Sequence, residues 1–204
     1  MSGIREKLAG RNPRFLGWDA LPKFAVFLPL VRRDGELMVL FEERARHLKR
    51  QPGEICFPGG RIEASDESAE AAALRETCEE LGLSGAELSL FGPLDVVFEP
   101  HRVIYPFAGE IVRPERIVRN DAEVAELHFV PLRTLIETAP EEHVVDLLVR
   151  PKETFPFEIL INERGPMWPR SQYSIFFYRI GSLTVWGLTA LILRNFLELV
   201  REQG

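Results

Sequence analysis

A helix that carries three glutamates on one face, with glycines at both ends, constrains this chain more than any other segment. Residues 59–83 read GGRIEASDESAEAAALRETCEELGL, and Glu76, Glu79 and Glu80 fall at helical spacing. Side chains three and four positions apart on a helix are neighbours, and like charges placed there repel each other and weaken the helix. The triplet therefore predicts a bound cation beside the Gly-rich turn.

The chemistry of the triplet indicates which cation it would hold. Carboxylate oxygens suit a hard divalent ion, and Mg²⁺ commonly keeps several waters and shares its remaining positions with substrate phosphates. The four histidines of the chain show no zinc-ligand spacing. The glutamate helix thus predicts a magnesium-type site that meets a phosphorylated small molecule.

The overall composition describes an acidic, globular protein. The chain has 204 residues, 46% hydrophobic and 27% charged, and we expect residues 1–204 to form a single domain. Its net charge of −6 disfavours nucleic acid as a partner, because duplex binding requires a basic surface. No apolar run approaches the ~20 residues that span a membrane. Cys56 and Cys78 form no CxxC pair and no apolar leader opens the chain, so we expect a reduced, cytoplasmic protein.

Short strands and a few helices follow one another without the strict alternation of a doubly wound sheet. The turn signal at 33–36 makes the first two strands a hairpin, and the charged stretch 42–53 is predicted to be a loop. The pattern indicates an α+β layered domain. We predict an N-terminal arm over 1–22, strands at 24–31, 37–41, 55–57, 88–94, 103–111 and 127–130, further strands within 150–184, a short helix at 131–137 and a closing helix at 185–202.

Both longer helices have predicted core faces. For the glutamate helix, Ser65 or Asp66 is the expected N-cap and Gly82 the C-terminal glycine. Its core face is predicted to consist of Ala71, Leu74, Cys78 and Leu81. In the closing helix the apolar stripe consists of Leu188, Leu191, Ile192, Leu199 and Val200, interrupted by Asn195.

The glutamate segment resembles the signature of the Nudix hydrolases. That signature runs from a glycine through a first glutamate to Arg-Glu, then Glu-Glu and a closing glycine. Gly60, Glu67, Arg75-Glu76, Glu79-Glu80 and Gly82 match it in order. Six residues instead of five separate Gly60 from Glu67, and Thr77 stands where an apolar residue is usual.

The segment directly upstream resembles the coenzyme A diphosphatase members of that family. Their pattern has Leu-Leu-Thr-x-Arg-Ser/Ala, then a basic residue, a glycine and Phe-Pro-Gly-Gly at fixed spacing. Residues 40–45 read LFEERA, and Lys49, Gly53 and residues 57–60 (FPGG) keep the spacing throughout. Phe41 and Glu42 replace Leu-Thr, and Lys49 replaces an arginine.

The resemblance implies a fold and an activity. The fold is a Nudix-like α/β/α sandwich with a mixed central sheet. The activity is Mg²⁺- or Mn²⁺-dependent hydrolysis of the diphosphate bond of coenzyme A or its derivatives, which gives 3′,5′-ADP and 4′-phosphopantetheine. The alternatives are a diphosphatase for ADP-ribose, NADH or a nucleoside triphosphate, and a non-catalytic nucleotide sensor. The expected partner is a small nucleoside diphosphate derivative, and a homodimer is an open possibility.

The resemblance also implies roles for single residues. Glu76, Glu79 and Glu80 hold the metal, and Arg75 pairs with Glu67 to fix the loop against the helix. The general base is Glu76, Glu79 or Glu123. The expected substrate-binding residues are Arg44, Lys49, Gly53, Phe57, Gly59 and Gly60, with Arg44 and Lys49 at phosphate groups. Ala72 and Ala73 are expected to leave room for the substrate.

Overall fold

The elements of the chain are given by a computed structural model that describes residues 2–10, 16–156, 159 and 171–201. Parts of the predicted arm, of the 150–184 strands and the end of the closing helix lie outside these residues. The helices are α1 Ser2–Leu8, α2 Ala69–Leu81, α3 Leu132–Glu137 and α4 Gly187–Arg201. The strands are β1 Lys23–Arg33, β2 Glu36–Arg44, β3 Ile55–Cys56, β4 Gly59–Arg61, β5 Leu88–Pro93, β6 Val97–Glu99, β7 Arg102–Ile111, β8 Val124–Pro131, β9 Glu141–Leu147, β10 Ser171–Ile180 and β11 Leu183–Trp186.

The central sheet is mixed, as the sequence predicts. Within the described residues its main path runs β3-β2-β1-β7-β5, and β4, β6 and β8 pair with β1, β7 and β2. β1 and β7 are parallel, whereas the other pairs are antiparallel. The β1–β2 hairpin turns at Asp34 and Gly35, whose φ values of 51° and 83° match the left-handed turn that Asp-Gly favours. β9, β10 and β11 form a second, three-stranded sheet.

Helices cover both faces of the central sheet and confirm the α/β/α sandwich. On one face, Ala72 and Ala73 of α2 pack against Ala25 and Phe27 of β1. On the other face, the apolar side of α4 and residues of β10 and β11 pack against β1, β2 and β7. None of the described helices is long and apolar enough to cross a membrane.

The side chains of β2 point alternately toward these two layers. Leu40 belongs to a buried cluster with Leu81 of α2, whereas Phe41 belongs to the cluster that contains α4. Successive side chains of a strand point to opposite faces. The predicted loop 42–53 is wrong at its start, because residues 42–44 continue β2 and pair with β3 and β8. Glu42 and Arg44 are therefore held by a strand.

Both predicted helix faces are right only in part. Ser68, instead of Ser65 or Asp66, is the N-cap of α2, and its side chain accepts a hydrogen bond from the Ala71 N–H. The buried residues of α2 are Ala72, Ala73, Thr77, Glu80 and Leu81, and those of α4 are Thr189, Ala190, Ile192, Leu193, Phe196 and Leu197. Leu81 and Ile192 are buried as predicted, whereas Leu199 and Val200 are exposed. In α2 most buried positions carry small or polar side chains, so an apolar pattern selects neighbouring residues. Gly82 ends α2 with φ of 63°, as predicted.

Candidate active site

The glutamates of α2 differ strongly in their exposure. Glu80 is only 4% exposed, and its Oε2 accepts a hydrogen bond of 2.9 Å from the Gly59 N–H. Glu76 is half-buried and Glu79 is exposed. The helix therefore presents an inner, a middle and an outer carboxylate to the Gly-Gly turn.

Gly59 and Gly60 allow this close approach. A Cβ at Gly60 would lie 2.2 Å from Cδ of Glu76, and a Cβ at Gly59 would lie 2.4 Å from the carbonyl oxygen of Ala25. Gly59 also has φ of 152°, which L side chains rarely adopt. Gly59 leaves no room for a side chain against the backbone of β1, whereas a side chain at Gly60 would displace the Glu76 carboxylate.

The loop before β8 brings Glu123 to the same place. The Asn120 N–H donates to the Glu80 carbonyl oxygen at 2.8 Å, the Glu123 N–H donates to the Asn120 carbonyl oxygen, and the Ala45 N–H donates to that of Glu123. The loop is thus tied to the end of α2 and to the end of β2. The negative charge of Glu123 acts on both Glu76 and Glu80.

The pKa values of Glu80 and Glu76 are both raised above the usual value of a glutamate. The pKa of Glu80 is raised to about 8, chiefly by burial. The hydrogen bond from the Gly59 N–H lowers this pKa, whereas the charges of Glu123 and Glu76 raise it. Burial likewise raises the pKa of Glu76, and the neighbouring Arg75 opposes that rise. Both shifts come chiefly from burial, which disfavours the charged form of a carboxyl group.

A further carboxylate, Glu42, lies close enough for the charges of Glu80 and Glu123 to act on it, although the sequence predicted no site role for it. It is 1% exposed, and its Oε1 has no hydrogen-bond partner among the described residues. Burial raises its pKa well above the usual range, the charge of Glu80 adds to the rise, and Arg44 opposes it. Its only signal was the departure from threonine in the upstream motif.

The donor set fits a hard divalent cation. Glu42, Glu76, Glu80 and Glu123 supply oxygen atoms alone, and Mg²⁺ and Mn²⁺ are bound by such ligands. The buried Oε1 of Glu42 has no hydrogen-bond partner among the described residues, so it is available to a cation. Glu79 lies at the exposed rim of the same helix face.

A cavity of about 490 Å³ adjoins the glycine turn. Among the predicted substrate-binding residues, Arg44, Phe57, Gly59 and Gly60 line it. Lys49 is exposed, and its neighbour Arg50 lines the cavity in its place. Gly53 has a structural position, since its N–H donates to the Arg44 carbonyl oxygen at 3.0 Å. Other lining residues are Phe24, Val26, Glu99, Arg102, Tyr173 and Trp186.

Comparison with known proteins decides the family. Residues 21–148 match the family described as the NUDIX domain. The chain belongs to the Nudix family. Human mitochondrial coenzyme A diphosphatase NUDT8 is 30% identical over 200 residues, which cover 96% of this chain and 76% of that protein.

Two further relatives match smaller parts of the chain. Mouse peroxisomal coenzyme A diphosphatase NUDT7 is 40% identical over 111 residues, which cover 54% of this chain and 47% of the mouse protein. Nudix hydrolase 3 of Caenorhabditis elegans is 35% identical over 137 residues, 64% of this chain and 57% of the worm protein. The matched part is about half the length of these two relatives. The similarity to two coenzyme A diphosphatases confirms the resemblance predicted from the upstream motif.

The Nudix arginine has a different partner from the predicted one. Arg75 binds Asp66 through two contacts, Nε to Oδ1 at 2.9 Å and Nη2 to Oδ2 at 3.0 Å. Glu67 is exposed, so the predicted Arg75–Glu67 pair is wrong. Five residues separate Gly60 from Asp66, which is the spacing of the signature counted from the glycine. The inserted residue therefore falls between Asp66 and the helix, and it moves Glu67 outward.

Arg75 links this loop to the metal face. Its Nη1 lies 3.0 Å from Glu76 and 3.4 Å from Glu79, and its Nη2 donates to the Arg61 carbonyl oxygen at 3.2 Å. The ion pair with Asp66 thus fixes the orientation of a guanidinium that contacts two of the glutamates. Asp66 accepts hydrogen bonds from Arg75 and from the Glu63 N–H, and these hydrogen bonds lower the pKa of Asp66.

We predict that Asp66→Asn lowers kcat/KM by about tenfold to 100-fold, because partners of this kind orient the metal ligands. The matched variant Glu67→Gln is expected to stay near the wild-type value, since its side chain is exposed. Steady-state kinetics across a range of Mg²⁺ concentrations measures both. A large loss of kcat/KM in Glu67→Gln, with a normal value for Asp66→Asn, would show that Glu67 and not Asp66 positions Arg75.

The predicted roles of two alanines in the Nudix helix are also wrong. Ala72 and Ala73 are fully buried against β1 and do not face the substrate. Thr77, at the usually apolar position, is buried too, and its Oγ1 donates to the Ala73 carbonyl oxygen at 2.7 Å. The hydroxyl is therefore satisfied inside the helix and does not disturb the core.

A second group of possible metal ligands lies on the other face of the sheet. Among the described residues, Glu43, Glu126 and His128 have ligand atoms within 4.8 Å of one another. His128 pairs across the strands with Phe41, which packs toward α4, so this group faces away from the Nudix helix. Arg46 already forms an ion pair with Glu43 at 3.4 Å.

Proposed function

We propose that this chain hydrolyses the diphosphate bond of coenzyme A or its derivatives with Mg²⁺ or Mn²⁺, and releases 3′,5′-ADP and 4′-phosphopantetheine. One observation carries the proposal. Gly59 and Gly60 touch Glu80 and Glu76 on one side and line an arginine-bearing cavity on the other. A diphosphate held at this turn meets the carboxylates and the cationic wall together.

The metal-binding carboxylates and the arginines would have separate roles in neutralising the negative charge of the diphosphate. Glu76, Glu79 and Glu80 would hold the cation, which neutralises the diphosphate and lowers the pKa of a bound water. Arg44 and Arg50 line the cavity and are placed to bind phosphate oxygens, as guanidinium groups do well. Arg75, held by Asp66, orients Glu76 and Glu79.

A carboxylate near the cation has to accept the proton of the attacking water. Glu76, Glu79 and Glu123 remain the candidates for the general base. Arg75 contacts Glu76 and Glu79, whereas Glu123 is exposed and held only through its backbone in the contacts described above. No arginine binds the Glu123 side chain among the described residues, so its carboxylate is available to accept the proton, which favours Glu123.

The walls of the cavity favour coenzyme A over a smaller diphosphate. Its volume of about 490 Å³ lies in the range of ligand pockets, roughly 300–1,000 Å³. Apolar side chains of Phe24, Val26 and Trp186 line it beside the arginines. A ligand with a charged diphosphate and a long, mainly apolar arm matches this division. The names of the human and mouse relatives support the same substrate class.

A substrate panel tests the proposal. Purified protein with Mg²⁺ or Mn²⁺ is incubated with coenzyme A, acetyl-coenzyme A, ADP-ribose, NADH and a nucleoside triphosphate, and products are separated by chromatography. We expect coenzyme A or its acetyl ester to be cleaved fastest, with 3′,5′-ADP as a product. Preferred cleavage of ADP-ribose would contradict the substrate. Binding without cleavage of any compound would favour a nucleotide sensor.

Residues 1–204 would act as a single catalytic domain with a small nucleotide derivative as partner, as a monomer or a homodimer. A cytoplasmic location is proposed from the cysteine pattern, whereas the names of two relatives place those proteins in the peroxisome and the mitochondrion. Cell fractionation and light scattering would test location and oligomeric state.

A further inference from the structure

Glu42 is a buried carboxylate that the predicted ligand set does not use. Its side chain is 1% exposed, and its Oε1 has no hydrogen-bond partner in the described part of the chain. Burying an ionised carboxylate without a partner costs several kcal/mol, so such groups are normally paired or bind metals. The fold alone gives no reason for a glutamate at this position.

The strand alternation shows which way Glu42 points. Leu40, two positions earlier on β2, packs against Leu81 of α2. Leu127, the cross-strand partner of Glu42 on β8, belongs to the same cluster. Residues two apart on a strand and residues directly opposite on neighbouring strands share a face. Glu42 therefore points toward α2 at the level of Glu80, the residue before Leu81.

The charged groups that act on Glu42 from α2 and from the loop before β8 are both acidic. Glu80 of α2 and Glu123 of the loop before β8 both raise its pKa, whereas Arg44 lowers it. On β3 its partner is Cys56, a free thiol whose pKa is raised by burial and by the charge of Glu42. Arg44 makes no ion pair with Glu42 within the described residues, because its Nε is directed to the Arg50 carbonyl oxygen. A bound cation would give the buried Oε1 of Glu42 the partner that the described residues do not supply.

We propose that Glu42 is a further carboxylate of the divalent-cation site, which contributes its free Oε1 from β2, opposite the glutamates of α2. The inference rests on the metal dependence proposed above and extends it. The cation would then be held between a helix and a strand. Glu42 would bind it from the inner, water-poor side, where a carboxylate attracts a cation more strongly than at the exposed rim.

The test measures Mn²⁺ binding without substrate. Electron paramagnetic resonance titrations compare wild type with Glu42→Gln, which keeps the shape and removes the charge. We expect Glu42→Gln to weaken Mn²⁺ binding by about tenfold to 100-fold. In EDTA its melting temperature should rise by about 2–4 °C, since an uncompensated buried charge has been removed. A general structural defect would lower both values.

Glu36→Gln is the control, because it makes the same chemical change at the exposed start of the same strand. It should leave Mn²⁺ binding at the site that Glu80→Gln abolishes unchanged. Glu42→Met, apolar and of similar length, replaces Glu42→Gln if that variant does not fold. Equal losses in the Glu42 and Glu36 variants would show a general charge effect and overturn the proposal.

Two further outcomes separate this inference from the proposed function. If wild type binds Mn²⁺ and Glu42→Gln binds it equally tightly, with the same rise in melting temperature on adding Mn²⁺, only the role of Glu42 is wrong. If wild type itself binds no Mn²⁺ and cleaves no substrate of the panel, the metal-dependent function fails, and the role of Glu42 fails with it.

Discussion

Replacing Glu80 by glutamine is expected to lower kcat/KM for the diphosphate substrate by about 100-fold to 1,000-fold while the protein stays folded. The amide keeps the size of the carboxylate and can still accept the hydrogen bond that the Gly59 N–H donates at 2.9 Å. It loses the charge that holds the cation. Steady-state kinetics at saturating Mg²⁺ measures the loss, and near-normal rates from the variant would show that Glu80 is not a metal ligand.

The stability of the metal-free protein provides the control for this variant. The pKa of Glu80 is about 8 in the folded chain against the usual 4.5 of a glutamate, so between these pH values the folded state binds a proton that the unfolded state has lost. The free energy of unfolding therefore falls as the pH rises through this window. Thermal denaturation in EDTA at pH 5 and pH 8 should show a smaller decrease for Glu80→Gln than for wild type. An equal decrease would contradict the raised pKa.

Gly60→Ala is expected to reduce activity by about 100-fold with little change in stability, because misplacing a catalytic group by about 1 Å can cost that much. The added Cβ would lie 2.2–2.4 Å from the carboxylate atoms of Glu76. That carboxylate is the end of a flexible side chain, so it moves while the backbone stays in place. Kinetics and thermal denaturation of the same preparation measure the two effects.

Gly59→Ala is the matched variant and should behave in the opposite way. Its Cβ would lie 2.4 Å from the carbonyl oxygen of Ala25 and 2.8 Å from Cα of Val26, both backbone atoms of β1 that cannot move aside. With φ of 152° added, the variant should lose roughly 3 kcal/mol of unfolding free energy or more. A stable Gly59→Ala, or an unfolded Gly60→Ala, would contradict this division of roles between the two glycines.

Local patterns of the sequence predicted the elements that depend on neighbouring residues. The β1–β2 hairpin, the glutamate helix with its terminal Gly82 and the short helix after residue 131 all occur where periodicity and turn residues place them. The parallel pairing of β1 with β7 was not predicted, because the two strands are about 80 residues apart and no local signal records such a contact. The β4, β6, β9 and β11 strands were missed because they are short or exposed.

The same limit applies within the site. Spacing in the sequence identified Glu76, Glu79 and Glu80, since they share one helix face. It assigned Glu67 to Arg75 because the signature was counted from the helix, whereas the folded loop delivers Asp66. It selected Lys49 by charge, although the chain turns so that Arg50 lines the cavity.

By itself, the sequence determined the family, the acidic helix and the chemistry of its ligands, because these depend on residue types at fixed spacing along one segment. Only the tertiary structure decided which carboxylates are buried, which partner Arg75 takes, and that the charges of Glu80 and Glu123 act on the buried Glu42. Those facts depend on a strand, a loop and a helix that meet in space. Burial and mutual repulsion arise only when the elements have packed, so no single segment contains them.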